Sequence, residues 1–266
     1  MPIQISISNA IKGQASSGGS SFLNEYSFTF DGNTDYIEIA DADNLSFGNG
    51  TTDSPFSISF WVNLDSLSGN TNVFIGKDNG GADREYAIGM FSGSDKVRFF
   101  IKNNGGSNQQ SIDSTTQLTI GSWFHIVTTY SGVGGSNAAD GMKIYINGNL
   151  ETSTNVVKQS YTAMQNTTAP LTIGKYNASP SQISGTMDEV AVWNSELSQP
   201  DVTAIYNGGV PNDLTSLSPL SWWRMGDAAT WTGKNWFLTD QGSGGNDGIS
   251  STIPAPPAQP STDVPT

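Results

Sequence analysis

Two adjacent acidic residues, Asp188 and Glu189, stand in the stretch GTMDEVAVW, whose alternating apolar residues indicate a β-strand. A pair of carboxyl groups is what most glycoside hydrolases use, one on each side of the bond that breaks. Neighbouring residues of a strand point to opposite faces of a sheet, so Asp188 and Glu189 are not expected to flank one bond together. The spacing therefore argues against glycosidase chemistry at these two residues.

The single histidine, His125, is the other residue with an obvious acid–base capacity near neutral pH. It stands in the middle of the predicted strand WFHIVTTY, and we interpret it as a packed strand residue rather than a general base. The sequence has no glycine-rich phosphate loop with Lys and Ser or Thr, so nucleotide hydrolysis has no support. We therefore predict that the protein is not an enzyme and has no catalytic residues.

Tryptophans offer a different chemistry, because exposed aromatic rings stack on sugar rings while nearby amides and acids hold the hydroxyl groups. Four of the seven tryptophans lie close together in the C-terminal part, and Trp222, Trp223 and Trp231 are the candidates for contact with a ligand. Trp222 and Trp223 are adjacent and would face opposite ways on a strand. The alternative, which we favour, is that these tryptophans anchor their segment to the rest of the fold.

Apolar and polar residues alternate along much of the chain, and this period of two residues predicts β-strands. We therefore expect the candidate residues to be positioned by strands. Phe56, Ile58 and Phe60 share one face of FSISFWV, and similar runs recur in YSFTF, KVRFFIK, WFHIVTTY, MKIYI and LTI. Stretches rich in Gly and Asn separate the runs, and Asn147-Gly148 predicts a tight hairpin. The pattern predicts an all-β protein folded as a two-sheet antiparallel jelly-roll sandwich.

One short helix is predicted near residues 199–206. Ser198 can cap its first turn, which contains Pro200, and Asp201 follows three residues after the cap. Gly208 and Gly209 then end the helix. We expect this helix to pack back onto the strand that precedes it.

We divide the chain into an N-terminal arm over residues 1–20, one sandwich over 21–252 and a Pro-rich tail over 253–266. The arm holds a run of Gly and Ser, and the tail holds five prolines without apolar periodicity. Both are expected to lie outside the core, against neighbouring subunits or a partner. The N-terminal residues lack a basic region followed by an apolar one, so we expect synthesis in the cytoplasm without a signal peptide.

A formal net charge of −13 and the absence of cysteine restrict the partners of the chain. An acidic protein repels phosphate backbones, so no nucleic-acid binding is expected. Disulfides and thiolate metal sites are excluded. No apolar run is long enough for membrane insertion.

Six blocks follow one another along the chain: FDGNTDYIEIADADNLSF, FSISFWVNL, GSWFHIVTTY, KIYINGNLETS, LTIGKY and GTMDEVAVWNSELSQPDVTAIYNGG. In this order they resemble a laminin-G-like domain of the concanavalin A-like lectin/glucanase superfamily. The resemblance implies two antiparallel sheets, one convex and one concave. Glucanases of the superfamily carry acids that alternate along one strand, and that pattern is absent here. The segment 220–251 resembles the stretch that usually opens such domains, so we expect it to be a permuted edge segment of the same sandwich.

Many relatives in this superfamily hold a calcium ion near a sheet edge. The resemblance implies Asp31 and Asp35, in the turn FDGNTDY, and Asp188 as candidate ligands for calcium. The alternative is that Asp31 and Asp35 cap their own turn and Asp188 accepts hydrogen bonds from a neighbouring loop.

The ending WWRMGD…DQGSGGNDG is also similar to laminin-G-like structural proteins of tailed bacteriophages. That resemblance implies a non-enzymatic structural and adhesive protein on a virion surface, of the capsid-decoration or fibre type. Its partners would be virion proteins and its own copies in a homo-oligomer, with contact to a host-surface glycan. The alternative function is a carbohydrate-binding module or a carbohydrate-active enzyme of the lectin/glucanase superfamily.

Overall fold

The computed structural model describes residues 22–67, 71–91, 93–103, 108–177 and 181–266. The predicted arm over residues 1–20 lies outside them. In chain order, the strands are β1 (Phe28–Asp31), β2 (Ile37–Ile39), β3 (Phe56–Leu64), β4 (Thr71–Gly80), β5 (Asp83–Phe91), β6 (Lys96–Lys102), β7 (Gln109–Gln117), β8 (Trp123–Tyr130), β9 (Met142–Ile146), β10 (Asn149–Leu150), β11 (Thr154–Lys158), β12 (Leu171–Ile173), β13 (Lys175–Tyr176), β14 (Ser181–Gln182), β15 (Ser184–Trp193), β16 (Ser221–Trp223), β17 (Ala229–Trp231), β18 (Trp236–Leu238) and β19 (Gly248–Ser250). Within the described part of the chain there is one α-helix, α1 (Gln199–Tyr206), and the 3-10 helices cover Asp43–Leu45, Gly135–Gly141, Asn207–Gly209, Thr215–Leu217 and Met225–Ala228.

Two antiparallel sheets contain nearly all of these strands. The seven-stranded sheet has the order β1-β15-β3-β8-β9-β10, with β16 paired to β15. The ten-stranded sheet has the order β11-β7-β6-β5-β4-β12-β2-β19-β18-β17, and β13 and β14 form a separate pair. The predicted two-sheet antiparallel sandwich is therefore confirmed.

The main core lies between the two sheets. Phe56 and Phe60 of β3 point inward, where the Phe56 ring lies 5.1 Å from that of Tyr86 and the Phe60 ring 5.3 Å from that of Phe74. Tyr86 and Phe74 belong to β5 and β4 of the opposite sheet. Burying each such ring stabilises the fold by about 1.5–3 kcal/mol. The inward-facing residues of the alternating pattern are therefore the ones that hold the two sheets together.

A second apolar cluster covers the outer face of the seven-stranded sheet and positions α1. Val202 and Ile205 of the helix are buried there together with Trp193 at the end of β15. The helix begins with the predicted capping box, in which Ser198 accepts from the backbone N–H of Asp201 and the Asp201 carboxylate accepts from that of Ser198. The prediction of one short helix over residues 199–206 is confirmed. Among the described residues, no helix is long and apolar enough to cross a bilayer.

The segment 220–251, which we expected to be an edge segment of the sandwich, contributes strands to both sheets. It provides β16 to the seven-stranded sheet, and β17, β18 and β19 to one end of the ten-stranded sheet, where β19 pairs with β2. The Trp223 side chain enters the main core from β16. The segment is therefore integrated into both layers of the sandwich.

The tail over residues 253–266 packs against its own chain, which differs from the expectation that it lies outside the core. Ile253 is 2% exposed and belongs to the main core. Further along, Ser261 forms an antiparallel bridge with Ser27, and the Asp263 carboxylate accepts hydrogen bonds from the side chains of Asn63 and Trp123. Prolines exclude a continuous ladder, but isolated bonds and one buried isoleucine hold the tail in place.

Candidate ligand-binding site

The three residues proposed as calcium ligands do not come together. Asp31 pairs with Ser184 of β15, and Asp188 stands four residues further along that strand, roughly 14 Å away at about 3.4 Å per residue. The Asp31 carboxylate accepts hydrogen bonds from the backbone of Asn33, Thr34 and Asp35, as the turn-capping alternative expects. Among the described residues, no three His, Cys, Asp or Glu side chains form a group that could hold a metal ion. Asp31, Asp35 and Asp188 do not fit a shared ion, and calcium binding itself stays a prediction.

Asp188 and Glu189 lie on the same face of the seven-stranded sheet, which corrects the prediction from strand alternation. The pairing of β15 with β3 shifts register between Asp188 and Ala191, and Glu189 adopts a left-handed φ of 48°. Such a bulge places two residues opposite one residue of the partner strand. Met187 and Val190, on either side of the acids, both enter the main core. Both acids therefore fall on the outer face.

Both acids are buried and engaged by neighbouring groups. Asp188 accepts from the side-chain amide of Asn24 at 2.9 Å and from the backbone N–H of Glu189 at 2.9 Å. Glu189 accepts from the indole N–H of Trp222 at 2.5 Å and from Nε of Arg224 at 3.0 Å. Burial raises the pKa of Asp188 well above its usual range, and the charge of Glu189 raises it further. The pair anchors other parts of the chain rather than facing an open cleft, since Asp188 is 0% and Glu189 3% exposed.

A cavity of about 410 Å³ is lined by the predicted candidate Trp222 and by Arg224, the two side chains that donate to Glu189. Phe22 covers the tryptophan, with its ring stacked 6.1 Å away at 18°, and the Arg224 guanidinium lies 4.2 Å from the centre of the Phe22 ring. Trp222 is consequently 3% exposed, so its face is not open to a ligand.

The other two candidate tryptophans also contact the protein itself. Trp223 is fully buried and donates its indole N–H to the backbone carbonyl of Asn246 at 2.7 Å. Trp231 is partly exposed at the end of the ten-stranded sheet, 5.5 Å from the ring of Trp236. The anchoring interpretation accounts for Trp222 and Trp223, and Trp231 remains an untested candidate.

A second cavity, of about 400 Å³, lies between the β9–β10 hairpin and α1. Its lining consists of residues 147–150 together with Gln199, Thr203, Tyr206 and Gly208, and we call it the hairpin–helix groove. The lining side chains are amides, a hydroxyl, a leucine and a tyrosine, with no charged group among them. This composition suits an uncharged polar ligand with apolar faces.

Tyr206 lies in this groove on a support of two further rings. Its ring is stacked 5.8 Å from Trp61 and 5.9 Å from His125, with interplanar angles of 23° and 20°. Trp61 and His125 are cross-strand partners on β3 and β8. His125 is fully buried with Nε2 2.8 Å from the Ser59 hydroxyl, and burial lowers the pKa of His125 to about 3. The imidazole ring of His125 is therefore uncharged at neutral pH, as expected of a packed strand histidine.

The Asn-Gly hairpin forms the second wall of the groove. Asn147 and Gly148 have φ angles of 50° and 77°, both in the left-handed region that a type I′ turn requires. Asn147 is fixed to β8, because its backbone N–H donates to the His125 carbonyl at 2.8 Å and its side chain accepts from the His125 N–H at 2.9 Å. A Cβ atom at Gly148 would lie 2.8 Å from a ring carbon of Tyr206, so glycine permits this close approach.

The groove is also lined by two exposed side-chain amides, those of Gln199 and Asn149. Gln199 connects the helix to the hairpin. Gln199 donates from Nε2 to the Gly148 carbonyl at 2.8 Å and to the Thr203 hydroxyl at 3.1 Å. Asn149 donates from Nδ2 to the Asn147 carbonyl at 2.9 Å. Within the part of the chain that the structure describes, the side-chain oxygens of Gln199 and Asn149 and the Tyr206 hydroxyl have no hydrogen-bond partner. These groups remain available to the hydroxyl groups of a ligand.

Sequence reasoning identified the hairpin and the helix but did not identify the groove that they form. The available signal was the placement of Tyr206 next to the buried Ile205, at the end of a helix expected to return to the sheet. Nothing local in the sequence shows that the turn at Gly148 meets this ring, because the contact joins segments far apart in the chain.

The chain belongs to the Laminin_G_3 family of the concanavalin A-like lectin/glucanases superfamily, whose family model matches residues 31–203. No curated protein sequence matches it. Among solved structures, it is similar to a candidate carbohydrate binding protein from Bacteroides ovatus, with 19% identity and a TM-score of 0.59. That match covers 90% of this chain and 61% of the other, so the chain spans about three fifths of that relative.

Two further solved structures are similar at lower scores. The CBM40 of the Ruminococcus gnavus IT-sialidase, bound to α2,3 sialyllactose, has 11% identity and a TM-score of 0.49, and the match covers 69% of this chain and 98% of that one. A heptameric SAP-like pentraxin from Limulus polyphemus has 18% identity and a TM-score of 0.42, with 66% and 83% covered. Only the fold is shared at these identities. The comparisons give no support to the resemblance with phage structural proteins.

Proposed function

We propose that this chain is a non-catalytic carbohydrate-binding domain and that the hairpin–helix groove is its binding site. The observation that carries the proposal is the partly exposed Tyr206 ring, held in place by Trp61 and His125 beneath it. A fixed aromatic ring offers a flat apolar surface to the C–H face of a sugar, at little cost in side-chain entropy. The volume of about 400 Å³ lies within the range of small-molecule sites.

Polar groups beside the ring give the groove the means to orient a sugar. The free side-chain oxygens of Asn149 and Gln199 can accept hydrogen bonds from sugar hydroxyl groups, and the Tyr206 hydroxyl can donate or accept. Because Asn149 and Gln199 are already held by bonds from their amide nitrogens, little ordering is needed on binding.

One solved structure with the same fold supports this function. The Bacteroides ovatus protein is described as a candidate carbohydrate binding protein, and it shares the fold of this chain. At 19% identity the two proteins share the fold alone, and the lining of the groove is what suits a sugar.

Catalysis is not part of the proposal. Asp188 and Glu189 share a face, but both are buried and bonded to Asn24, Trp222 and Arg224. His125 is enclosed and uncharged beneath Tyr206. The predicted location on a virion, virion partners and homo-oligomer remain predictions, since no feature of the fold or groove supports them independently.

A binding assay with a matched control tests the proposal. The protein is titrated by calorimetry with a panel of neutral gluco-, manno-, galacto-, xylo- and arabino-oligosaccharides. Tyr206→Ala should weaken binding of the best ligand at least ~10-fold, about 1.4 kcal/mol. The control is Tyr36→Ala, which removes a partly exposed tyrosine that lines a cavity of the ten-stranded sheet instead. Equal affinity of Tyr206→Ala and the unmodified protein, or no binding to any member, would refute the proposal.

A further inference from the structure

We infer that the groove takes a neutral oligosaccharide of at least two units, which runs from Tyr206 into an adjoining cavity. This inference rests on the proposed function and extends it to the size and charge of the ligand. The adjoining cavity has a volume of about 480 Å³ and includes Lys143, Tyr145 and Glu196 in its lining. We call it the distal cavity.

The two cavities adjoin each other. Leu150 and Gln199 line both of them, Leu150 from the hairpin side and Gln199 from the first residue of α1. A ligand that extends from the groove past these two side chains would therefore reach the distal cavity. One sugar ring stacked on Tyr206 would leave the second cavity unfilled, whereas a chain of two or more rings would occupy both.

Leu150 has the position of an apolar contact at the junction. It is 54% exposed and belongs to β10, the two-residue strand at the edge of the seven-stranded sheet. A single exposed leucine is ordinary on a protein surface. Here it faces two cavities at once, so the C–H face of a second ring can cover it and remove its apolar area from water.

The charges of the distal cavity cancel. Lys143 donates from Nζ to Oε1 of Glu196 at 2.6 Å, and the two side chains remain 43% and 28% exposed. The pair offers donors and acceptors to hydroxyl groups but has no net charge that would attract an ionic sugar. An acidic sugar would in addition be repelled by a chain of net charge −13. The cleft therefore favours uncharged units in both cavities.

A length series of one glycan tests the inference. The probe is the neutral glycan with the highest affinity in the panel above, in lengths from one to four units, titrated by calorimetry. Affinity should rise at least ~10-fold between one unit and two or three units, and then level off. The same glycan with an added terminal uronic acid should bind at least ~10-fold more weakly than its neutral counterpart of equal length.

A charge-balanced double variant locates the second subsite. Lys143→Ala combined with Glu196→Ala should reduce the affinity for the two- to four-unit ligands toward that of the single unit. The control is Ile249→Ala, which truncates an aliphatic residue that is 51% exposed beside a cavity of the opposite sheet. Melting curves of all variants separate loss of binding from loss of folding.

The outcomes distinguish the two proposals. If the single unit binds as tightly as the longer ligands, or if the double variant weakens all lengths equally, the extended cleft is wrong while the groove at Tyr206 stands. Tighter binding of the acidic ligand likewise overturns the inference alone. If no length binds, both proposals fail.

Discussion

Trp222 donates its indole N–H to Oε2 of Glu189 at 2.5 Å, and this bond joins the C-terminal segment to the bulge in β15. Glu189 is placed for it by its left-handed backbone, with φ of 48°, a conformation that costs a non-glycine residue of order 1–3 kcal/mol. Arg224 donates to the other carboxylate oxygen and also to the carbonyl of Leu23. The acid pair thus connects β15, the segment after β16 and the residues that precede β1.

Loss of the indole donor should destabilise the fold. Trp222→Phe keeps an aromatic ring but leaves Oε2 of the buried Glu189 without this partner, which costs about 1–3 kcal/mol. Denaturant unfolding would measure the change. Trp231→Phe, at a partly exposed position, should cost clearly less. Equal stability losses in the two variants would show that the Glu189 contact contributes nothing.

The stability of the protein should fall as the pH rises from 5 to 8. Burial raises the pKa of Glu189 from its ordinary 4.5 to about 7, although the charge of Arg224 acts in the opposite direction. The folded state therefore holds this proton more tightly than the unfolded state, and stability is lost as the pH rises through the interval from 4.5 to about 7. Melting curves at several pH values would record the loss.

The variant Glu189→Gln tests whether the carboxyl group of Glu189 causes this pH dependence of stability. Glu189→Gln should reduce the loss between pH 5 and 8 by roughly 1–3 kcal/mol, because it removes the titration and also the charge that raises the pKa of Asp188. Glu38→Gln, at an exposed position of β2, should keep the dependence of the unmodified protein. A Glu189→Gln profile that parallels the unmodified one would contradict this assignment.

We expect that a side chain at Gly148 would clash with the ring of Tyr206. Gly148→Ala introduces both a strained φ and a Cβ atom 2.8 Å from the ring, so it should lower stability and weaken glycan binding together. Gly81→Ala is the matched control, since its φ of 59° carries similar strain but no atom lies within 4 Å. Calorimetry and melting curves on both variants separate strain from contact. Intact glycan affinity in Gly148→Ala would argue against a fixed Tyr206.

The turn at Asp31 allows the calcium prediction to be tested. Asp31→Ala should lower the free energy of unfolding by about 1–3 kcal/mol, because the hydrogen bonds from the backbone of the turn are lost. If Asp31 only caps its turn, the loss should be the same in calcium and in chelator. Melting curves in the two buffers would measure both values. If the cost arises only in calcium, Asp31 binds the ion and the turn-capping account is wrong.

Local signals made much of the fold predictable. The inward residues Phe56 and Phe60, the Asn147-Gly148 turn and the capping box at Ser198 each depend on residues close in sequence, and the structure contains all of them. The bulge was not predictable in this way, because the register of β15 is set by β3 more than a hundred residues earlier. An alternating pattern alone therefore assigned Asp188 and Glu189 to opposite faces.

The tail and the groove were missed for a related reason. Ile253 lies next to a proline-rich stretch without apolar periodicity, so the sequence around it does not indicate burial. Its place in the main core is formed by residues of the folded sandwich. The groove depends on the approach of Gly148 to Tyr206 and on the Trp61–His125 pair beneath that ring. Such long-range contacts leave no pattern within a single stretch of sequence.

Mapping of amide chemical shifts during titration with the best neutral glycan tests the central claim most directly. The account predicts that the perturbed amides cluster at residues 147–150 and 199–208, the two walls of the hairpin–helix groove. Perturbations that cluster instead around Phe22 and Trp222, or around Tyr36 and Ile249 on the opposite sheet, would contradict it.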